Sequence, residues 1–182
     1  MLAFDFFNQA LPYDEFLSTY GTPADKDRWE RSRTAITLTA DQKKLLGSFT
    51  RKTNVLLLAG AWCGDCSTQC PVFELFRETA PVLIVRYLDR DAFPAAQAEL
   101  QVNGGNRVPV AVFFSEDGHE AARYGERTLS AYRRMARNVL PDLAAPTAAD
   151  YPAEMTADWL REVERVQWIL RLSPRLRRLH HD

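Results

Sequence analysis

The chain has 182 residues, 46% of them apolar and 26% charged, with a net charge of −1. That balance excludes a disordered chain, and near-neutrality leaves no electrostatic footprint for nucleic acid. No run approaches the ~18 apolar residues that span a membrane, and the length suits one real core with extensions.

Residues 1–48 are predicted to form a helical extension packed on the core. Its start, MLAFDFFNQALPYDE, is acidic and lacks a cationic segment ahead of an apolar run, so it is not read as a secretory signal. The expected location is therefore the cytoplasm, where a permanent structural disulfide is disfavoured. Phe4, Phe7 and Leu11 recur at helical spacing until Pro12 interrupts, and Phe16, Leu17 and Tyr20 make a second stretch ending at Gly21. GTPADKDRWERSR is polar and expected to be exposed, with Trp29 packed on the domain. Thr39 to Gln42 has the form of a capping box, which would turn Leu45, Leu46 and Phe49 toward the core.

The pattern then changes to α/β. NVLLLAGA is a continuous apolar run, as a strand buried on both faces requires. PVLIVRYL is a second, and one helix's worth of residues, Gly64 to Thr79, separates them. A strand, a helix of this length and a strand make a βαβ unit, so the two strands should be parallel. PAAQAELQV gives another helix and VPVAVFF a third strand. SEDGHE is a hairpin turn leading to EAARYG, a fourth strand antiparallel to the third. Thr128 caps a last core helix with Leu129, Tyr132, Ala136 and Val139 on one face. The order is βαβαββα over residues 49–142. Residues 143–182 follow as a proline-containing linker and a final helix. Thr156 is read as its cap, Trp159, Val163, Val166 and Leu170 as its stripe, and Pro174 as its end. From Arg161 onward six arginines face Glu162, Glu164 and Asp182, a basic tail read as a solvated helix end.

All three cysteines fall within eight positions, in WCGDCSTQC. Cys63 lies at the strand-to-helix junction and Cys66 in the first turn. There, unpaired backbone N–H groups and the helix dipole favour a thiolate, so the Cys63 pKa is expected to fall below ~8.5. The i, i+3 spacing lets the sulfurs meet, one to attack a substrate disulfide and the other to resolve the mixed disulfide. Cys70, one turn further, reads as a buried small apolar residue, with a regulatory or alternative disulfide as the other reading.

These features resemble the thioredoxin superfamily: WCGDC, Pro71 five residues after Cys66, and Pro109 in RVPV, within the strand order above. The nearest pattern is that of bacterial thioredoxin-like proteins with a helical extension, an LDRD segment (Leu88 to Asp91) and a GER segment (Gly125 to Arg127). The resemblance implies a four-stranded mixed sheet and a thiol-disulfide oxidoreductase of cell redox homeostasis, with no cofactor. Its partners would be protein or small-molecule disulfides and an unidentified electron donor, with no nucleic acid and no membrane. It also implies a cis Pro109, a Val108 backbone that pairs with substrate, Trp62 as a lid, and Gly125 beside the site. Two positions depart from the pattern. Leu57 stands where thioredoxins bury an acid that accepts the second thiol's proton, leaving Glu126 and Asp89 as candidates. Asp65 replaces a proline, and its charge opposes the Cys63 thiolate unless Arg127 folds back to offset it. Glu126 and Arg127 could equally be a surface pair at a strand end.

Other chemistries fare worse. C-x₂-C-x₃-C-P matches the end of a ferredoxin motif, but a four-cysteine cluster needs another cysteine. His119, His180 and His181 have no ligand-like spacing, so no metal site is assigned. No histidine can be tied to Cys63 for a protease-like nucleophile, and no peroxide-activating Arg/Thr set can be assigned. The rival that stays open is a redox-sensing binding module or adaptor whose dithiol responds to oxidant.

Overall fold

The computed structural model describes residues 3–140, 142 and 150–182. In chain order the elements are α1 (Ala3–Gln9), α2 (Tyr13–Tyr20), α3 (Pro23–Ala35), α4 (Ala40–Gly47), β1 (Thr53–Ala59), α5 (Gly64–Gln69), α6 (Val72–Thr79), β2 (Leu83–Asp89), α7 (Pro94–Glu99), β3 (Val110–Phe114), β4 (Glu120–Gly125), α8 (Leu129–Val139), α9 (Tyr151–Arg171) and α10 (Pro174–His180). This is the α/β fold with a four-stranded mixed sheet that the sequence predicts.

The sheet order is β2-β1-β3-β4. β1 is central and buried at every position, parallel to β2 and antiparallel to β3. Alternate side chains serve opposite faces. Phe113 meets Phe73 of α6 on one face, and Phe114 meets Phe4 and Phe7 of α1 on the other. The N-terminal segment crosses the β2 edge at Leu11, whose N–H and carbonyl bond the backbone of Tyr87 at 2.8 and 2.7 Å. That contact covers an edge that would otherwise offer unpaired groups. Beyond it, Tyr13, Phe16 and Trp29 gather around the ring of Tyr87.

Several expectations need correction. The polar stretch around Trp29 is mostly exposed and Trp29 is packed on the domain, both as read, but the stretch is the helix α3, started by a capping box between Thr22 and Asp25. It carries no apolar stripe, so periodicity could not reveal it. The Thr39–Gln42 capping box is present as read. The segment from Gly64 to Thr79 is two helices, parted at Cys70–Pro71 because proline cannot donate to the preceding turn. The face of α8 expected in the core is largely exposed: Leu129, Tyr132 and Val139 lie at the surface, and the helix buries Ser130 and Ala131 instead. α9 begins at Asp150, whose side chain accepts the Ala153 N–H, so Thr156 is an interior residue bonding back to Pro152. Its stripe of Trp159, Val163, Val166 and Leu170 is buried as expected. Pro174 ends that helix but starts another, α10, capped by Ser173, so the basic tail is ordered helix. The linker expected before α9 lies largely outside the described residues. Among the described residues no helix is long and apolar enough to cross a membrane.

Candidate functional site

β1 delivers the chain to the turn Gly60–Trp62, where the Cys63 N–H donates to the Gly60 carbonyl at 3.0 Å. Cys63 is the N-cap of α5, and its sulfur accepts the Cys66 N–H at 3.4 Å. Both are free thiols; Cys63 keeps 8% exposure and Cys66 none. The Cys63 Sγ lies 3.9 Å from the Val108 carbonyl oxygen, just before the cis Val108–Pro109 bond. Four candidates from distant parts of the sequence, Cys63, Cys66, Val108 and Pro109, therefore share one location.

Trp62 is half exposed beside them. Its Nε1 donates to Asp91 Oδ2 at 3.0 Å, and the Arg90 guanidinium lies 4.7 Å from the ring centroid. α3 holds the same turn from behind. Trp29 Nε1 donates to the Ala61 carbonyl at 2.8 Å, and Arg28 Nη2 to the Trp62 carbonyl at 2.8 Å. Sequence reasoning assigned neither residue to the site, and no local signal marks them.

The thiol electrostatics reverse an expectation. The hydrogen bond shared with Cys66, then burial, push the Cys63 thiol upward. Backbone N–H groups of Cys66 and Asp65 act in the opposite sense, as a helix start should, but they are outweighed. Burial raises Cys66 further, and the neighbouring Cys70 thiol adds to this. In this reduced arrangement the surroundings favour the thiol form of both cysteines.

On the rim, Arg127 folds back as the motif suggested. Its Nη2 reaches Asp65 Oδ2 at 2.5 Å and its Nη1 reaches Glu126 Oε1 at 2.7 Å. Glu126 is not a surface group: it is 4% exposed and also accepts from Arg107 at 2.8 Å and from the Tyr132 hydroxyl at 3.2 Å. Gln69 of α5 bonds the Glu126 carbonyl and the Thr128 N–H, both at 3.2 Å, tying this corner to the dithiol helix. Gly125 has φ +156°, and a Cβ there would sit 2.5 Å from the Pro109 carbonyl oxygen, so the approach of β4 to the Pro109 loop requires glycine.

Neither proposed proton acceptor bonds to Cys66. Asp89 Oδ1 instead accepts the N–H groups of Asp91 and Ala92, both at 2.9 Å, closing the turn after β2. Leu57 pairs in register with Tyr87, whose hydroxyl donates to the buried Glu74 at 2.9 Å and lies 3.4 Å from the Cys70 carbonyl. Burial raises the Glu74 pKa, opposed by its bonds from Arg77 and Tyr87. Cys70 is fully buried, as read. Among the described residues no group of three or more His, Cys, Asp or Glu side chains is placed to hold a metal ion.

Comparison with known proteins places this geometry in context. The family described as thioredoxin matches residues 10–139. A crystal structure of a Pseudomonas aeruginosa protein of unknown function is 16% identical with a TM-score of 0.73, covering 91% of this chain and 98% of its own. An HIV epitope scaffold is 14% identical with a TM-score of 0.67, covering 90% and 99% respectively. Mitochondrial thioredoxin 3 of Saccharomyces cerevisiae, in oxidized form, is 22% identical with a TM-score of 0.37, covering 59% and 98%. No curated protein matches the chain. The first two likenesses show a shared fold over about nine tenths of the chain.

Proposed function

The chain belongs to the thioredoxin family, and on that premise we propose that it is a thiol-disulfide oxidoreductase in which Cys63 attacks and Cys66 resolves. One observation carries the reading: two free, adjacent thiols sit at the N-terminus of α5, and Cys63 retains the exposure. The Cys63 thiolate attacks one sulfur of a substrate disulfide, and the other leaves as thiolate. Cys66, deprotonated in turn, attacks the Cys63 sulfur, forming the Cys63–Cys66 disulfide and releasing the second substrate thiol. The dithiol loses two electrons and the substrate gains two, so an external thiol or dithiol must restore the protein.

The raised thiol pKa values make activation on binding part of the proposal. An extended substrate pairing with the Val108 backbone would compete for the carbonyl that faces the Cys63 sulfur, in a strand-addition mode. Trp62 and Pro109 would flank that chain. The substrates are protein or small-molecule disulfides, and the setting is the reducing cytoplasm. The division into 1–48, 49–142 and 143–182 stands as part of the same proposal.

The exposed apolar face of α8 favours a second reading, a redox-sensing adaptor that binds a partner beside the dithiol. Insulin-disulfide reduction with a dithiol donor separates the two. Catalytic turnover lost in Cys63→Ser supports the enzyme. Slow stoichiometric oxidation without turnover supports the adaptor.

A further inference from the structure

Beside the dithiol, between the start of α5 and the outer face of α8, lies an open cleft of about 360 Å³. Its walls include Asp65 and Thr68 of α5, Arg127 and Arg134, with Met135 and Tyr151 adding apolar surface. Asp65 stands between Cys63 and Cys66 in the chain, so the cleft opens on the turn of α5 that carries the redox pair.

The charges there do not cancel. Arg127 is shared between Asp65 and Glu126, and Glu126 is also held by Arg107. Asp158, nearby on α9, is already engaged by Arg161 and the Ser130 N–H. Arg134 stacks on Tyr151 at 4.9 Å and has no carboxylate partner among the described residues. Stacking occupies the face of a guanidinium and leaves its N–H groups to bond in the plane, the geometry that recognises carboxylates. The volume falls at the lower end of the range for small-ligand sites, ~300–1,000 Å³.

We propose that this cleft is a subsite for a carboxylate carried by the disulfide substrate, with Arg134 as its anchor and Arg127 as the wall it shares with Asp65. The proposal rests on the thiol-exchange reading above. It makes Arg134 a specificity residue that selects anionic disulfides and takes no part in bond exchange.

The test follows oxidation of the reduced full-length protein by two chromogenic disulfides. One is 5,5′-dithiobis(2-nitrobenzoate), which carries two carboxylates, and the other is 4,4′-dithiodipyridine, uncharged at neutral pH. Arg134→Gln is expected to slow the anionic reagent ~5-fold, the equivalent of one exposed ion pair, and to leave the neutral one unchanged. Arg178→Gln removes the same charge on α10 and should change neither. Equal effects on both reagents, no effect on either, or the same effect from Arg178→Gln would overturn the subsite. If neither reagent oxidises the wild-type protein, the thiol-exchange reading fails and the subsite fails with it. A second pair of probes distinguishes the source of the carboxylate. Oxidised glutathione with an Arg134-dependent rate assigns the subsite to small disulfides. A peptide disulfide flanked by Glu, outpacing its Gln counterpart only when Arg134 is present, assigns it to protein substrates.

Discussion

At Cys63 the backbone N–H groups of the helix start act against the hydrogen bond shared with Cys66 and the burial of the thiol. Arg127 already offsets Asp65, so Asp65→Asn should leave the Cys63 alkylation rate within about twofold, since one screened charge at this range is worth well under 1 kcal/mol. Arg127→Ala strips the cation from Asp65, while Glu126 keeps Arg107, and should slow alkylation ~3-fold, with Asp65→Asn restoring part of the rate in that background. Iodoacetamide kinetics on the four proteins check this; faster alkylation in Arg127→Ala would mean that the carboxylates do not act on the sulfur. The two thiols themselves should separate by role. Cys63→Ser abolishes exchange, and Cys66→Ser accumulates a mixed disulfide visible as a mass increase equal to one substrate half. Full turnover in Cys66→Ser would reverse the assignment.

Helices α3 and α8 show the same lesson from opposite sides. α3 is polar almost throughout, yet one buried tryptophan fastens it to the turn that carries Trp62. Trp29→Phe loses the bond to the Ala61 carbonyl and part of the ring volume, and should cost ~1–3 kcal/mol in denaturant unfolding. An unchanged midpoint would mean that α3 is held by other contacts. α8 is amphipathic, yet most of its apolar face meets solvent. Val139→Gln should therefore change stability by no more than ~0.5 kcal/mol, whereas Val163→Ala, on the buried stripe of α9, should cost ~2 kcal/mol. Comparable losses in the two variants would show that the α8 face is covered in solution.

Across the whole molecule, the C-terminal tail is clamped at the end of the sheet opposite Cys63. Arg175 pairs with Asp117, His180 with Glu116, and Asp182 with the buried Arg51 at 2.5 Å, while Gln167 bonds the Arg51 backbone and Thr53. At Asp117 burial is the largest influence and acts upward. The bonds from Arg175 and Ser115 outweigh it and hold the carboxyl at about 2. A depressed folded-state pKa contributes stability above the ordinary value near 3.8 that disappears as pH falls through about 2. Arg175→Ala should therefore be ~1 kcal/mol less stable than wild type at pH 5–7, the modest figure suiting a part-exposed pair, and the difference should vanish near pH 2. Unfolding midpoints of both proteins across that range are the measurement; a pH-independent difference would show that Arg175 acts by packing alone.

The sequence by itself determined the fold class and the position of the dithiol. A central strand must be apolar on both faces, a hairpin must turn at Asp-Gly, and a CxxC after a buried strand must open a helix. All three are local constraints, legible in NVLLLAGA, SEDGHE and WCGDC. Tertiary structure decided the rest, because the energies involved come from partners far apart in the chain. Nothing near Glu126 in sequence announces that Arg107 and Tyr132 will bury it, and nothing in α3 announces the Ala61 carbonyl 32 positions away. The Cys63 thiol followed the same rule in part. The local helix start lowers its pKa, but the hydrogen bond shared with Cys66, and then burial in the folded core, prevail.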